Sequence, residues 1–268
     1  MSKVRYERRG SAAVLTISRP ERRNAVDDET AADLAAGFRR FEADEGARVL
    51  VLAGEGPEAF SAGADLKALA DARPPADVAD PAAAVRRWLD ERADGPLGFT
   101  RLVATKPAIA AISGWCLAGG LELALWCDLR IATETAKLGF TERRFGVPLI
   151  DGGTQRLPRI VGMGRALEMI LTGRIVEAAE AREWGLVNEV VPPGEHLDRA
   201  LEIAEGLARF PQETMLSDRR AALGGAGLPL AEGLALEADL GARSVLVGVR
   251  GAARFAAGEG RSAEGAGV

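Results

Sequence analysis

Two segments rich in small residues offer backbone N–H groups to a ligand. The first covers residues 60–67 (FSAGADLK), and the second covers residues 113–124 (SGWCLAGGLELA), where paired glycines open a predicted helix. Small side chains let a ligand approach the backbone closely, and the first N–H groups of a helix have no partner within it. One N–H group from each segment could therefore meet at an oxygen atom that becomes negatively charged during a reaction.

Acidic residues accompany these segments. Glu122 follows Gly119 by three residues, so its side chain is expected on the same helix face as that N-terminus. A carboxyl group placed there can transfer protons beside the oxyanion site, or it can simply complement the helix dipole. Glu142 follows in LGFTE, and Asp151 stands directly before GGTQRLP. Their spacing alone leaves both interpretations open.

Other catalytic classes have little material in this chain. The single histidine, His196, ends the loop sequence PPGEH before a polar helix, which indicates a surface residue rather than a catalytic base. A Ser-His-Asp triad or a histidine-rich metal centre therefore has almost no residues from which to be built. Cys116 and Cys127 lie eleven residues apart without CxxC spacing, which predicts buried, reduced thiols and a cytoplasmic protein.

A glycine motif at residues 54–59 (GEGPEA) follows a predicted strand and offers an alternative from another class, a nicotinamide-dependent oxidoreductase. That fingerprint requires a helix to open at its second glycine. The residues after Pro57 do not begin an apolar face of helical period, so a plain turn is the favoured interpretation.

Composition sets the broad class. The chain has 268 residues, 47% of them hydrophobic and 27% charged, with a net charge of -5. These values predict a folded globular protein with no basic footprint for nucleic acid or an anionic membrane. The longest uncharged apolar run, residues 107–121, is too short to span a bilayer, and no apolar stretch follows the basic residues of the N-terminus, so no secretory signal is expected.

The pattern of the elements divides the chain in two. A hairpin is predicted over residues 4–18, a buried strand over 49–53, and a strand, glycine turn, helix and strand over 107–133. We expect an α/β core over residues 1–195 and a helical region over 196–268. A mobile insertion is expected at 73–81 and a frayed end at 258–268. Further helices are predicted around residues 28–44, 82–92, 165–171, 178–184, 197–209, 212–223, 230–246 and 252–257, with one more strand near 186–191.

An ordered set of motifs resembles the crotonase, or enoyl-CoA hydratase/isomerase, family. The resemblance extends from about residue 5 to about residue 258. The motifs are SRP (18–20) with NA (24–25), SAGADLK (61–67), KP (106–107), GGLELA (119–124), CD (127–128), GGTQRL (152–157) and LTGR (171–174).

The resemblance implies a crotonase-like spiral of β-β-α turns and an α-helical C-terminal region that trimerises, giving a homotrimer or a dimer of trimers. The substrate implied is a coenzyme A thioester. Coenzyme A enters as part of that substrate, with no metal and no other cofactor, and neither nucleic acid nor a membrane is expected as a partner.

The resemblance also implies roles for individual residues. The N–H groups of Ala64 and Gly119 match the oxyanion hole, and Glu122 and Glu142 match the two acids of the hydratases. Hydration needs two acids because water loses a proton as it attacks while the neighbouring carbon gains one. The residues matched to coenzyme A binding are Arg22, Ala62, Ala64, Asp65, Leu66 and Lys67.

One segment departs from the hydratase pattern. Residues 146–153 read GVPLIDGG, with the proline displaced and Asp151 unexpected, and Arg143 and Arg144 could draw Glu142 into a surface ion pair. Asp151 is either an alternative acid, as in isomerases that carry one a residue earlier at Ile150, or a cap on the helix that starts at 152–154. A 2-enoyl-CoA hydratase is the favoured function. A double-bond isomerase and a non-catalytic coenzyme A-binding module are the alternatives.

Overall fold

Two sheets built from alternating strands form the centre of the fold. The computed structural model describes residues 2–71 and 80–258. The strands in these residues are β1 (Val4–Arg9), β2 (Ala12–Ile17), β3 (Val49–Gly54), β4 (Ala59–Ser61), β5 (Ala108–Ile112), β6 (Trp115–Leu117), β7 (Leu129–Thr133), β8 (Lys137–Gly139), β9 (Ile175–Glu177) and β10 (Glu189–Val191).

The strand order shows the spiral. The larger sheet runs β1-β2-β3-β5-β7-β10, with β1 antiparallel to β2 and the remaining pairs parallel. The smaller sheet runs β4-β6-β8-β9, and only β8 and β9 pair antiparallel. Successive passes of the chain thus add β3, β5 and β7 to one sheet and β4, β6 and β8 to the other. The predicted spiral of β-β-α turns is confirmed.

Helices cover both sheets and extend beyond them. The first begins after Asp27, whose side chain accepts a 2.9 Å hydrogen bond from the N–H of Thr30, a helix N-cap. The helices are α1 (Asp28–Ala43), α2 (Leu66–Asp71), α3 (Pro81–Asp90), α4 (Gly119–Trp126), α5 (Gly153–Val161), α6 (Met163–Thr172), α7 (Ala178–Glu183), α8 (His196–Arg209), α9 (Gln212–Gly225), α10 (Leu230–Ala242) and α11 (Val245–Ala256).

The core lies on both faces of the larger sheet. On one face, Leu50 and Leu52 of β3 belong to the same buried cluster as Phe38 of α1. On the other, Val49 and Val51 join a cluster that includes Ala200 and Ala204 of α8. Coverage on both faces explains why β3 reads as a continuous apolar run rather than an alternating one.

The structure corrects the predicted ends of the chain's helical part. Residues 230–246 are not one helix: the N–H groups of Arg243 and Ser244 bond to carbonyl oxygens three residues earlier, which ends α10 before α11 begins. The predicted helix 252–257 is the end of α11. Most of the expected insertion at 73–81 and of the expected frayed end at 258–268 lies outside the described residues.

The helices and the cysteines have two further features. No helix within residues 2–71 and 80–258 is long and apolar enough to cross a lipid bilayer. Cys116 and Cys127 are both buried and free, as predicted, and burial raises the pKa of each thiol.

Candidate active site

The two small-residue segments meet at the N-terminus of α4. A Cβ atom on Gly63 would lie 2.5 Å from the backbone nitrogen of Gly119, and one on Gly120 would lie 2.2 Å from the carbonyl oxygen of Ser61. Only glycine allows this approach. The N–H groups of Ala64 and Gly119 donate no hydrogen bond to any residue that the structure describes. Both donors are therefore available to one developing oxyanion.

Ala118, immediately before α4, has a strained backbone. Its φ of 55° and ψ of -133° lie in a region that L-residues rarely adopt and that glycine tolerates. Such a conformation costs about 1 to 3 kcal/mol and is concentrated at functional sites. The strain accompanies the turn from β6 into α4 that leaves the N–H of Gly119 outside the helical hydrogen bonds.

Glu122 is held by one of its two carboxyl oxygens. Oε1 accepts hydrogen bonds from the N–H groups of Asp151 at 3.0 Å and Gly153 at 2.8 Å. Oε2 makes no hydrogen bond within the described part of the chain and is available to a ligand. Burial, together with the charges of Asp151 and Glu142, raises the pKa of Glu122 to about 8. The raised pKa favours the neutral carboxyl group, which complements a helix dipole less than a carboxylate does.

Glu142 lies in a 3-10 helix, Thr141–Arg144, and points inward. Its side chain is buried, and neither carboxyl oxygen has a hydrogen-bond partner among the described residues. Arg143 and Arg144 are exposed, and Arg144 donates to the carbonyl oxygen of Gly173 at 3.2 Å. The surface ion pair considered above is therefore wrong. Burial raises the pKa of Glu142 to about 7.

Asp151 turns away from the start of α5. Its Oδ1 accepts hydrogen bonds from the N–H of Leu97 at 3.1 Å and from the hydroxyl of Thr100. The N-cap of α5 is Gly152, without a side-chain hydrogen bond, so the interpretation of Asp151 as a helix cap is wrong. Its carboxylate is committed to a segment about fifty residues earlier, a contact that local sequence could not reveal.

Residues 62–67 form a loop that leads into the first turn of α2, and Asp65 holds this loop in place. Oδ2 of Asp65 pairs with Arg19 at 3.0 Å, while Oδ1 accepts from the N–H groups of Lys67 and Ala68 at the start of α2. Asp65 thus stabilises the loop instead of presenting its carboxylate. Sequence reasoning missed Arg19, although it belongs to the SRP motif. The exposed residues of the loop are Ala64, Leu66 and Lys67, with Ala62 half-buried.

Arg22 borders the same loop. It ends the 3-10 helix Pro20–Arg22 and is exposed. The carbonyl oxygen of the next residue, Arg23, accepts a 2.9 Å hydrogen bond from the N–H of Ala62. Arg22 and Lys67 are therefore two exposed cations on either side of one loop, the charge that an anionic ligand requires.

The glycine motif at residues 54–59 lies elsewhere and opens no helix. It connects β3 to β4 and lines a groove of about 780 Å³. The described lining of this groove includes His196 but neither Glu122 nor Glu142. The dinucleotide-binding interpretation is therefore wrong. His196 is half-buried at the start of α8 rather than at the surface, and burial lowers its pKa.

Known proteins have sequences and a fold similar to those of this chain. The sequence profile described as Enoyl-CoA hydratase/isomerase matches residues 7–243. The chain is 40% identical to a probable enoyl-CoA hydratase of Rhizobium meliloti (strain 1021), covering 87% of this chain and 86% of the relative. It is 38% identical to the (E)-benzylidenesuccinyl-CoA hydratase of Thauera aromatica, covering 86% of each. The crystal structure of an enoyl-CoA hydratase from Mycobacterium marinum superposes with a TM-score of 0.83 at 32% identity, covering 96% of each chain.

The chain belongs to the enoyl-CoA hydratase/isomerase family, the crotonases, and is an enzyme that acts on acyl-CoA thioesters.

Proposed function

We propose that the protein is a 2-enoyl-CoA hydratase, which adds water across the 2,3 double bond of an enoyl-CoA thioester. The observation that carries this proposal is that Glu122 and Glu142 are both buried and keep carboxyl oxygens without hydrogen-bond partners among the described residues, in a chain that also offers two available N–H donors. Burial raises the pKa of Glu122 to about 8 and that of Glu142 to about 7. Two carboxyl groups whose pKa values are raised toward neutrality can divide the roles, one accepting a proton and the other donating one.

The arrangement accounts for each step of hydration. The thioester carbonyl oxygen accepts hydrogen bonds from the N–H groups of Ala64 and Gly119, which draws electrons away from C3. Water attacks C3 and gives its proton to the charged carboxyl group of the pair. Negative charge develops on the thioester oxygen, where the two N–H groups stabilise it. The other carboxyl group of the pair, which already carries a proton, delivers that proton to C2. One molecule of water has then been added across the double bond.

The loop at residues 62–67 is our candidate for coenzyme A binding. Its exposed backbone would contact the adenine and pantetheine parts, while Arg22 and Lys67 would face the phosphates, whose negative charge they complement. Asp65 would act only by shaping the loop. Because hydration changes no oxidation state and the proton transfers fall to carboxyl groups, the proposed reaction requires neither a metal nor a redox cofactor.

The C-terminal helices support self-association as a homotrimer or a dimer of trimers. Large apolar side chains on α10 and α11 face solvent in the single chain, which is typical of a surface covered in an oligomer. They include Leu230, Leu234, Leu246 and Val249, exposed by 78%, 53%, 69% and 61%. Light scattering at micromolar concentration tests this, and a monomeric mass contradicts it.

The free, buried thiols fit the reducing conditions of the cytoplasm, where we expect the protein.

One pair of assays tests the reaction. Purified protein should hydrate crotonyl-CoA, followed by loss of absorbance of the conjugated thioester, faster than it converts a 3-enoyl-CoA to the 2-enoyl isomer. The reverse preference would identify an isomerase. Binding of acetoacetyl-CoA without turnover of either substrate would identify a coenzyme A-binding module, and both results would overturn the proposed hydratase.

A further inference from the structure

Asp151 connects the two halves of the site. Its backbone N–H donates to Oε1 of Glu122 at 3.0 Å, while its side chain accepts from the N–H of Leu97 and the hydroxyl of Thr100. Leu97 in turn packs on the other half, because its Cδ1 lies 2.5 Å from where a Cβ atom on Gly119 would stand. One residue thus touches both the acid and the segment that supports the oxyanion donor.

The surroundings of Asp151 are shaped to hold it. A Cβ atom on Gly95 would lie 2.3 Å from Oγ1 of Thr100 and 3.2 Å from Oδ1 of Asp151, so glycine is required there for the contact to form. Arg156 donates to the carbonyl oxygens of both Asp151 and Thr100. The carboxylate is therefore held by a segment about fifty residues earlier in the chain, and the main-chain carbonyl of Asp151 is held by Arg156.

We propose that Asp151, supported by Thr100, is a positioning residue that holds the backbone of residues 151–153 on Glu122 and places a negative charge beside that acid. The proposal rests on the proposed function, since Glu122 is the acid it serves. Asp151 itself touches no reacting atom in this scheme. Its effect on the reaction is exerted through Glu122.

The charge is the part that a purely structural residue would not contribute. Two donors on Oδ1 and the nearby guanidinium groups of Arg101 and Arg156 favour the charged form of Asp151, although burial opposes it by raising its pKa. The charged groups that act on Glu122 are Asp151 and Glu142, which raise its pKa, and Arg156 of α5, which attracts its charged form. Asp151→Asn keeps an Oδ1 acceptor for Leu97 and Thr100, so the N–H groups of residues 151 and 153 should stay on Glu122. Removing the charge alone, with Glu142 and Arg156 in place, should then lower the pKa of Glu122 from about 8.

The test uses the full-length protein with Asp151→Asn, Thr100→Val and Thr100→Ser. Thr133→Val is the matched control, because Thr133 is a buried threonine whose hydroxyl hydrogen-bonds to Thr135 and to no other residue within 2–71 and 80–258. The first measurement is the pH midpoint of the Glu122 carboxyl band in infrared difference spectra, a band identified by its loss in Glu122→Gln. It requires no turnover. The second is kcat and KM for crotonyl-CoA.

We expect Asp151→Asn to lower the Glu122 midpoint by about half a pH unit or more and to lower kcat about 10- to 100-fold, with KM changed less than about threefold. Thr100→Val should lower the midpoint as well, because an Asp151 without its hydroxyl donor is more readily neutralised. Thr100→Ser should restore the wild-type values, and Thr133→Val should match wild type.

The outcomes separate the two proposals. A lower midpoint in a protein that does not hydrate crotonyl-CoA would contradict the hydratase and support the positioning role. A wild-type midpoint in Asp151→Asn would overturn the positioning role whatever the reaction. Should Asp151→Asn fail to fold, the threonine pair decides: a lower midpoint in Thr100→Val with recovery in Thr100→Ser supports the role, and equal midpoints overturn it.

Discussion

Gly153 lies against Glu122 so closely that it has no room for a side chain. Its N–H donates a 2.8 Å hydrogen bond to Oε1 of Glu122, and a Cβ atom on Gly153 would lie 3.1 Å from that oxygen and 2.7 Å from Cζ of Phe140. The first residue of α5 is therefore matched to the acid on α4. The start of α5 thus helps to fix one carboxyl oxygen of an acid on α4, 31 residues earlier in the chain.

This contact predicts the effect of Gly153→Ala. The added methyl group should push Glu122 and Phe140 apart and lower kcat about 10- to 100-fold, because small misplacements of a catalytic group are costly. Gly164→Ala in α6 is the matched control, since a Cβ atom there meets nothing within 4 Å. The control should keep full activity and melt slightly higher. Equal activity of both variants would show that the Glu122 contact does not matter to catalysis.

Removing either acid should abolish most hydration. Glu122→Gln and Glu142→Gln keep the size of the side chain but cannot exchange a proton, so each should lower kcat roughly 100- to 10,000-fold. Acetoacetyl-CoA affinity should stay nearly unchanged, because neither group belongs to the proposed coenzyme A loop. Glu213→Gln, an exposed acid on α9, serves as the control. A Glu142→Gln variant with wild-type hydration would remove Glu142 from the mechanism.

The raised pKa of Glu122 predicts how stability depends on pH. Folding lifts this pKa from an ordinary 4.5 to about 8, so the folded state keeps a proton that the unfolded state releases. Stability is full below pH 4.5 and is lost as the pH rises to about 8, at about 1.4 kcal/mol for each pH unit between the two values.

Glu122→Gln lacks this titration. Relative to the variant, the wild-type free energy of unfolding should therefore fall by a few kcal/mol between pH 5 and pH 9, as measured by urea denaturation. A difference between the two proteins that stays constant over this range would show that the pKa of Glu122 is not raised by folding.

Ala118 offers a stabilising substitution. Its φ of 55° suits glycine, so Ala118→Gly should raise the free energy of unfolding by about 1 kcal/mol and retain activity, because the direction of the Gly119 N–H is preserved. Ala222→Gly in the exposed part of α9 should instead lose about 0.5 to 1 kcal/mol. Thermal melting measures both. A lower melting temperature for Ala118→Gly would mean that the backbone there is not strained.

Local spacing in the sequence was enough for part of the site. The distance from Gly119 to Glu122 is less than one helical turn, so their shared position at the start of α4 follows from helix geometry alone. The strands of the larger sheet were also predictable, because β2, β3 and β5 are runs of five or six mostly apolar residues with clear breaks. A turn joins β1 to β2 as the predicted hairpin, and β10 lies within the predicted strand near 186–191. The strands of the smaller sheet have only three residues each, too few to show a period, and they were missed.

Only the tertiary structure decided which groups face which. The sequence allowed Glu142 to pair with Arg143 or Arg144, but packing in the fold buries the acid and leaves both arginines in solvent. Asp151 could have capped α5, yet its partner Thr100 lies 51 residues away in the chain. Burial and long-range partners depend on how distant segments pack. The residues next to a position in the sequence do not specify that packing. For this reason the sequence determined the family and the candidate residues, whereas the fold determined their protonation and their contacts.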